Sequence, residues 1–313
     1  MEKAYCLEMD KIVSPYEARD YYFSDEHETK EKLTFYCPDP ECLLKITSAN
    51  IYKQSMIQRA PHFKIRPKTE HEQNCTFYEV RADQITKEEE SGTRQRKGAI
   101  KSNVFPTELS LEPPTKTPPK TKIASKEDED LDIEKIRPRV KRVATEYAKT
   151  YSTKTRSFEN VVDCFEQAVS EEDRTSLLTI NDKTKYYKNF FKPIKYFSDE
   201  EGLIYYGEIE PIKPYGKNYS ITFKDKVFHD GNYIKVAMYI THELIQQYRK
   251  KKFFIETIEQ LAELELPASC YFVGAYPKLK TVNTSKTKQQ FDVFNVDIAN
   301  LDHLVIKFTE KGR

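Results

Sequence analysis

The sequence lacks any apolar run of the roughly 18 residues needed to span a bilayer. Its first residues also lack the basic segment and continuous apolar stretch of a secretory signal. Neither sign of charge is in excess, since 51 lysines and arginines stand against 50 aspartates and glutamates. These absences predict a cytoplasmic protein with no membrane partner, and they require any nucleic-acid-binding surface to be a local patch.

Recognisable catalytic motifs are also missing. The chain has no Walker loop, dinucleotide-binding fingerprint, nucleophile elbow or H-E-x-x-H motif. Glu210 and Lys213 have the wrong spacing for the E-x-K of a metal-dependent nuclease, and Cys164 and Cys270 lie among apolar residues. The sequence therefore favours a binding protein over an enzyme.

Cysteine is scarce and unevenly placed. Six cysteines in 313 residues are too few for a disulfide scaffold. Three of them lie near two histidines, in a C-x4-C pair, an H-x3-C pair and one histidine between, and these five residues are Cys37, Cys42, His62, His71 and Cys75. Each short pair can supply one edge of a tetrahedron, so four of the five are predicted to bind a structural zinc ion. The sequence leaves open whether His62 or His71 is the spare residue.

The first eighty residues resemble a known family. A short aspartate-containing segment near the start, a Phe-Tyr-Cys-Pro knuckle, a His-Phe pair and a closing H-x3-C pattern are together similar to the N-terminal zinc-binding segment of CoiA-like competence proteins. That family usually has a C-x2-C knuckle, whereas this chain has C-x4-C. The resemblance implies work on DNA, and it favours as ligands Cys37, Cys42, His62 and Cys75, with His71 next.

Composition divides the chain into three parts, and the predicted fold class is α+β. Residues 1–83 place aromatic side chains beside the zinc candidates and are predicted to form a small zinc-ribbon-like domain. Residues 84–150 are rich in charge, proline and threonine, which predicts a flexible, disordered linker. Residues 151–313 are predicted to form the C-terminal domain, with helices over 157–169 and within 183–197 leading into it.

The order of elements after these helices predicts an architecture. Strands are predicted over 203–212, 218–223 and 232–240, a helix over 242–264, and two more strands over 269–279 and 291–298. Three strands, a helix and two strands is the element order of the OB-fold. We therefore expect an OB-like β-barrel.

Tyrosines and lysines in this domain indicate a ligand, because single-stranded nucleic acid binds by stacking bases on rings and pairing phosphates with cations. The predicted contacts are Tyr215, Lys217, Tyr276, Lys278, Lys280, Lys286 and Lys288. The leading prediction is a non-catalytic adaptor for single-stranded nucleic acid, with DNA favoured over RNA, in a bacterial DNA-processing or defence system. The alternatives are a protein-interaction subunit of a larger helicase or nuclease complex, and a divergent nuclease.

Overall fold

A computed structural model describes most of the chain as a mixed α+β protein with three β-sheets. The residues it describes are 2–27, 30–53, 60–66, 69–72, 74–76, 105–112, 133–149, 154–168, 170–197, 202–264, 267–283 and 290–308. Among the helices described, none combines the length and the apolar composition needed to cross a membrane.

The N-terminal part forms a five-stranded sheet with one helix, which we call the metal module. Its elements are β1 (Ala4–Cys6), β2 (Lys11–Val13), α1 (Pro15–Phe23), β3 (Phe35–Tyr36), β4 (Lys45–Ala49) and β5 (His62–Lys64), and the strand order is β2-β1-β3-β4-β5. Helix α1 begins with a capping box, in which Ser14 and Glu17 satisfy each other's backbone amides. Pro15 follows the cap at the first helical position, where its missing amide hydrogen costs nothing.

The range predicted as a linker contains two described elements, β6 (Glu108–Leu109) and α2 (Ile133–Lys149). Helix α2 packs three apolar residues at helical spacing onto the metal module, where they contact a group of buried side chains; the helix residues are Ile136, Val140 and Val143, and their partners are Tyr5, Leu7, Tyr36 and Leu43. A stripe of three apolar residues in a highly charged segment hardly changes its average composition, so composition alone conceals this helix. Apart from residues 105–112 and 133–149, the range lies outside the described residues.

Strand β6 belongs to a second, four-stranded sheet in the C-terminal part. This part begins with β7 (Lys154–Thr155), α3 (Phe158–Gln167), α4 (Glu171–Arg174), β8 (Leu177–Ile180), β9 (Lys183–Tyr186), α5 (Tyr187–Phe190) and β10 (Phe191–Pro193), and the sheet order is β7-β6-β8-β9. Helix α3 confirms the first predicted helix. The second prediction was wrong over most of its length, because Asn181 and Asp182 both adopt positive φ and turn the chain into a β8–β9 hairpin.

The third sheet has nine strands. Its elements and the helices between them are β11 (Ile204–Ile209), β12 (Lys213–Tyr215), β13 (Asn218–His229), β14 (Asn232–Ile240), α6 (His242–Gln247), α7 (Lys251–Leu264), β15 (Ala268–Phe272), β16 (Pro277–Asn283), β17 (Gln290–Val296) and β18 (Leu304–Phe308). The order is β16-β17-β14-β13-β11-β15-β18, with β10 paired to β11 and β12 to β13. All five predicted strands are present, and β14 has its predicted bounds.

Three details differ from the prediction for this sheet. The predicted helix over 242–264 is two helices, interrupted at residues 248–250, and the predicted strand over 269–279 is divided into β15 and β16. Strand β18 was not foreseen. Over the residues described, the strand pairings do not close into a ring, so the coarse α+β class stands and a closed barrel is not seen.

A polar seam joins α1 of the metal module to the C-terminal part. The Tyr16 hydroxyl donates to Asp163 of α3 over 2.5 Å, and Arg19 pairs with Glu159 over 2.8 Å. Asp20 is the next residue of this face and receives hydrogen bonds of 2.7 Å from both Arg249 and Lys250. The two parts therefore meet through specific ion pairs.

Candidate metal centre

The first ligand pair is held by a tight turn between β3 and β4. The Cys37 amide donates to the Leu44 carbonyl over 2.8 Å, and the amides of Cys42 and Leu43 both donate to the Asp39 carbonyl over 3.1 Å. Proline at positions 38 and 40 restricts φ in this loop, and Leu43 reverses the chain with a φ of 47°. The knuckle is thus shaped by its own backbone before any ion binds.

The second pair, His71 and Cys75, meets the first at close range. The His71 Nδ1 atom lies 3.2 Å from Cys42 Sγ and 3.3 Å from Cys75 Sγ, and the sulfurs of Cys37 and Cys75 are 3.6 Å apart. All four ligand atoms lie within 4.8 Å of one another. A tetrahedral zinc ion with Zn–S of about 2.3 Å and Zn–N of about 2.0–2.1 Å requires edges of roughly 3.5–3.8 Å. Cys37, Cys42, His71 and Cys75 are therefore close enough to hold a metal ion.

Asp39 links the two pairs, although it is not a ligand. Its Oδ1 atom accepts from the Glu41 amide over 3.0 Å, and its Oδ2 atom accepts from the amide and hydroxyl of Thr76 over 3.0 and 3.2 Å. Burial raises the pKa of Asp39, but these hydrogen bonds outweigh it and hold the pKa below its ordinary value. No sequence pattern indicates this role, because it depends on where Thr76 lies in space.

Burial controls the chemistry of the thiols. Cys37 and Cys75 are buried and Cys42 is half-buried. Burial raises the pKa of the Cys37 thiol, so without a cation this sulfur stays protonated. A metal ion supplies the positive charge that a buried thiolate needs. A pocket lined by Glu41, Glu72 and Asn74 opens beside Cys42 and Cys75, so solvent reaches one side of the centre.

His62 is the candidate that lies apart from the cluster. It is on β5, where it pairs with Ala49 of β4, and its Nδ1 lies 3.0 Å from the carbonyl oxygen of Ala60. The structure groups His71 with the cysteines, whereas the resemblance to competence proteins ranked His62 above it.

The predicted nucleic-acid contacts are dispersed. Tyr215 is 55% exposed and Lys217 follows it in the turn from β12 to β13. Lys278 lies with its Nζ 5.1 Å from the ring centroid of the half-buried Tyr276. Lys280 forms an ion pair of 2.9 Å with Asp297. Lys286 and Lys288 fall outside the described residues.

A row of exposed apolar side chains on the third sheet was missed from the sequence. Phe228 of β13 faces Tyr233 of β14, and their ring centroids are 5.3 Å apart. Lys235 pairs with Val293 in the parallel β14–β17 ladder, so Tyr233 and Phe291, each two residues earlier, are neighbours on the same face. Phe291 in turn faces Val282 of β16. We call Phe228, Tyr233, Phe291 and Val282 the ring row; they are 62%, 71%, 48% and 39% exposed.

A second row, with three lysines, lies beside the ring row. Lys226 pairs with Lys235, Lys235 with Val293, and Val293 with Lys280 across the same four strands. Two of these lysines also meet carboxylates, since Lys235 lies 3.3 Å from Glu210 and Lys280 pairs with Asp297. Both rows could have been predicted from the Asp230-Gly231 pair, because this turn sequence sets the register of the β13–β14 hairpin.

The lone cysteines belong to the core. Cys164 and Cys270 are buried, and burial raises the pKa of the Cys164 thiol to about 12 and that of Cys270 further. Protonated buried thiols are poor nucleophiles, as expected from their apolar sequence surroundings.

Compared with models of known protein families and with curated proteins, the sequence matches none of them. The resemblance of the first eighty residues to CoiA-like proteins therefore rests only on the short sequence patterns in that segment.

Proposed function

We propose that the protein is a non-catalytic adaptor that binds single-stranded nucleic acid on its C-terminal part and is stabilised by a structural zinc ion in its metal module. The observation that carries the proposal is the ring row beside a row of lysines on one sheet face. Aromatic rings that stack on bases contribute about 1–3 kcal/mol each, and every base offers a face to stack on.

The donor set supports zinc. Three thiolates and one imidazole are a common set for structural zinc, and four protein donors leave no open position for a substrate or water. The Cys37–Cys42 turn between two short strands supports a zinc-ribbon-like module. A structural ion here holds the module together and takes no part in chemistry.

The strand pairings support an OB-like architecture. Numbered as in that fold, β11, β13 and β14 are strands one to three, β15 and β16 are the halves of strand four, and β17 is strand five. In this numbering, strand two pairs with strands one and three, and strand three also pairs in parallel with strand five. Strand four pairs with strand one through β15 and with strand five through β16. Only residues 273–276 separate β15 from β16, so the chain itself connects the two ends of this circuit.

A second candidate, a protein-interaction subunit, is favoured by the ion pairs on the same face. Glu210 and Asp297 already offset the charges of Lys235 and Lys280, which leaves less net positive charge beside the exposed apolar row. Exposed apolar rows rimmed by ion pairs are also typical of surfaces that bind proteins.

Fluorescence anisotropy with a labelled single-stranded oligonucleotide, over a salt series and against duplex, tests the proposal. The variant carries Phe228→Ala, Tyr233→Ala and Phe291→Ala; its control carries Tyr186→Ala and Tyr196→Ala, which are exposed rings outside the four strands that carry the ring row. We expect the ring variant to weaken binding about 100-fold or more while the control binds as the wild type does.

Absence of single-strand binding at low salt would overturn the proposal and favour the protein-interaction candidate. Binding that hardly changes with salt would also favour that candidate, because phosphate contacts release counterions and must respond to salt.

A further inference from the structure

Helix α2 carries a concentration of positive charge. Its 17 residues contain six lysines and arginines and two glutamates. Ile136, Val140 and Val143 are buried against the metal module, so the basic residues occupy the remaining sides of the helix. This distribution contrasts with the near-neutral charge of the whole chain.

Two of the basic residues fasten the helix to the metal module. The Arg137 guanidinium donates to the Pro40 carbonyl over 2.8 Å and to the Glu41 carboxylate over 3.0 Å, and both partners lie inside the Cys37–Cys42 turn. Arg142 forms a 2.5 Å ion pair with Asp10. The turn that holds the metal thus also holds the helix.

Three further cations of the helix are exposed: Lys135, Arg139 and Lys141. Lys135 and Arg139 are one turn apart on the same side, about 6 Å along the axis, whereas Lys141, two residues after Arg139, lies on the other exposed flank of the helix. Pro138 is exposed between Lys135 and Arg139, and it removes one backbone hydrogen bond from the helix at this point. The solvent side of α2 is therefore positively charged on both flanks, and we call it the edge of the metal module.

We propose that this edge, with Lys135 and Arg139 on one flank of α2 and Lys141 on the other, binds the phosphate backbone of nucleic acid, independently of base identity and of the ring row. Phosphate is bound by positive charge on a fixed support, and arginine matches its oxygens with two parallel hydrogen bonds. An anionic membrane is the weaker fit. A helix that lies on a membrane buries an apolar face in lipid, and the apolar face of α2 is already covered by the metal module.

Duplex DNA is the probe that isolates this surface, because its stacked bases are not available to the ring row. Anisotropy of the full-length, zinc-loaded protein with a labelled duplex is measured over a salt series. The test variant carries Arg139→Glu and Lys141→Glu. The control carries Lys64→Glu and Lys183→Glu, two exposed lysines on β5 and β9, so its net charge changes equally.

We expect the test variant to weaken duplex binding at least 10-fold at low salt. Its log–log salt slope should fall by about two, one for each phosphate that the variant no longer neutralises. The control should keep the wild-type slope. Equal weakening in both variants, or none in either, would overturn the proposal. So would loss of binding to phosphatidylserine vesicles with duplex binding intact, which would assign the edge to membranes.

A second arm uses the metal. Because Arg137 anchors α2 to the Cys37–Cys42 turn, removal of zinc by a chelator should reduce the salt slope for duplex as the test variant does, and zinc should restore it. An unchanged slope in the metal-free protein would contradict the coupling. Single-strand binding that survives this treatment would show that the ring row acts separately.

Discussion

The metal module and the C-terminal part reach stability by different routes. The core of the C-terminal part runs continuously from α3 through the nine-stranded sheet to α7, and it contains fully buried aromatic residues such as Phe190, Phe223 and Phe272. The core of the metal module is small, and two of its buried members, Cys37 and Cys75, belong to the metal cluster. Domains of this size often need a metal to supplement a limited apolar core.

Loss of the metal should have the largest effect and should be confined to the metal module. His71→Ala is expected to lower zinc affinity at least about 100-fold, because structural zinc contributes roughly 10–16 kcal/mol in small modules. Hydrogen exchange should then accelerate in β1, β3 and β4 while β13 and β14 stay protected. His62→Ala is the matched control and should retain one zinc per chain. If both parts unfolded together, the two parts would not be stabilised separately.

A cavity in the larger core should produce the opposite pattern. Phe272 is fully buried among Tyr205 and Phe223, and Phe272→Ala is expected to cost about 3–5 kcal/mol. Urea unfolding followed by tyrosine fluorescence would show the destabilisation, and the zinc content of the folded protein should remain one per chain. A variant that lost its zinc at low urea would show that the metal module depends on the C-terminal core.

The polar seam determines how far the two parts unfold together. Asp20→Ala removes one of the two carboxylates that Arg249 and Lys250 share and leaves both largely buried cations with Asp302 alone, at a cost of about 2 kcal/mol. We expect calorimetry to resolve two transitions in this variant that lie closer together in the wild type. Asp25→Ala is the control: Asp25 pairs with Lys251 over 3.8 Å at the surface and should change little.

Acid should weaken the same seam by a smaller amount. Burial raises the pKa of Asp302, but the charges of Lys250 and Arg249 outweigh it and lower the pKa from 3.8 to about 2. A carboxyl with a lowered folded pKa stabilises the protein above its unfolded value and loses that contribution as pH falls from about 4 to 2. The effect is on the order of 1–2 kcal/mol. Asp302→Asn should unfold with a shallower dependence on pH over this window, and an identical dependence would exclude Asp302 as its source.

The candidate metal ligands show how much of a site the sequence predicts and how much depends on the fold. The C-x4-C and H-x3-C spacings predicted the two pairs, because two ligands this close in sequence can coordinate the same ion. The choice of His71 over His62 depended on the path of the chain, which places His62 in a strand pairing with Ala49.

Sheet strands were predictable where apolar and polar residues alternate, as in β14. Strand β13 continues past its predicted end because a bulge between Thr222 and Lys226 lets the charged residues 224–226 stay in the sheet. The break in the helix over 242–264 could not be predicted from the local sequence. It lies where Arg249 and Lys250 bind Asp20, a residue more than 200 positions earlier.

The placement of α2 means that the metal module is built from two separate stretches of the sequence. Along the sequence, residues up to 76 contribute to the metal module, β6 belongs to the four-stranded sheet, α2 packs on the metal module, and β7 belongs to the four-stranded sheet again. A cut near residue 83 would therefore separate the module from its own helix and expose Tyr5, Leu7, Tyr36 and Leu43 to water. Two fragments divided there would each be incomplete, and mixing them should restore a complex with the properties of the intact chain.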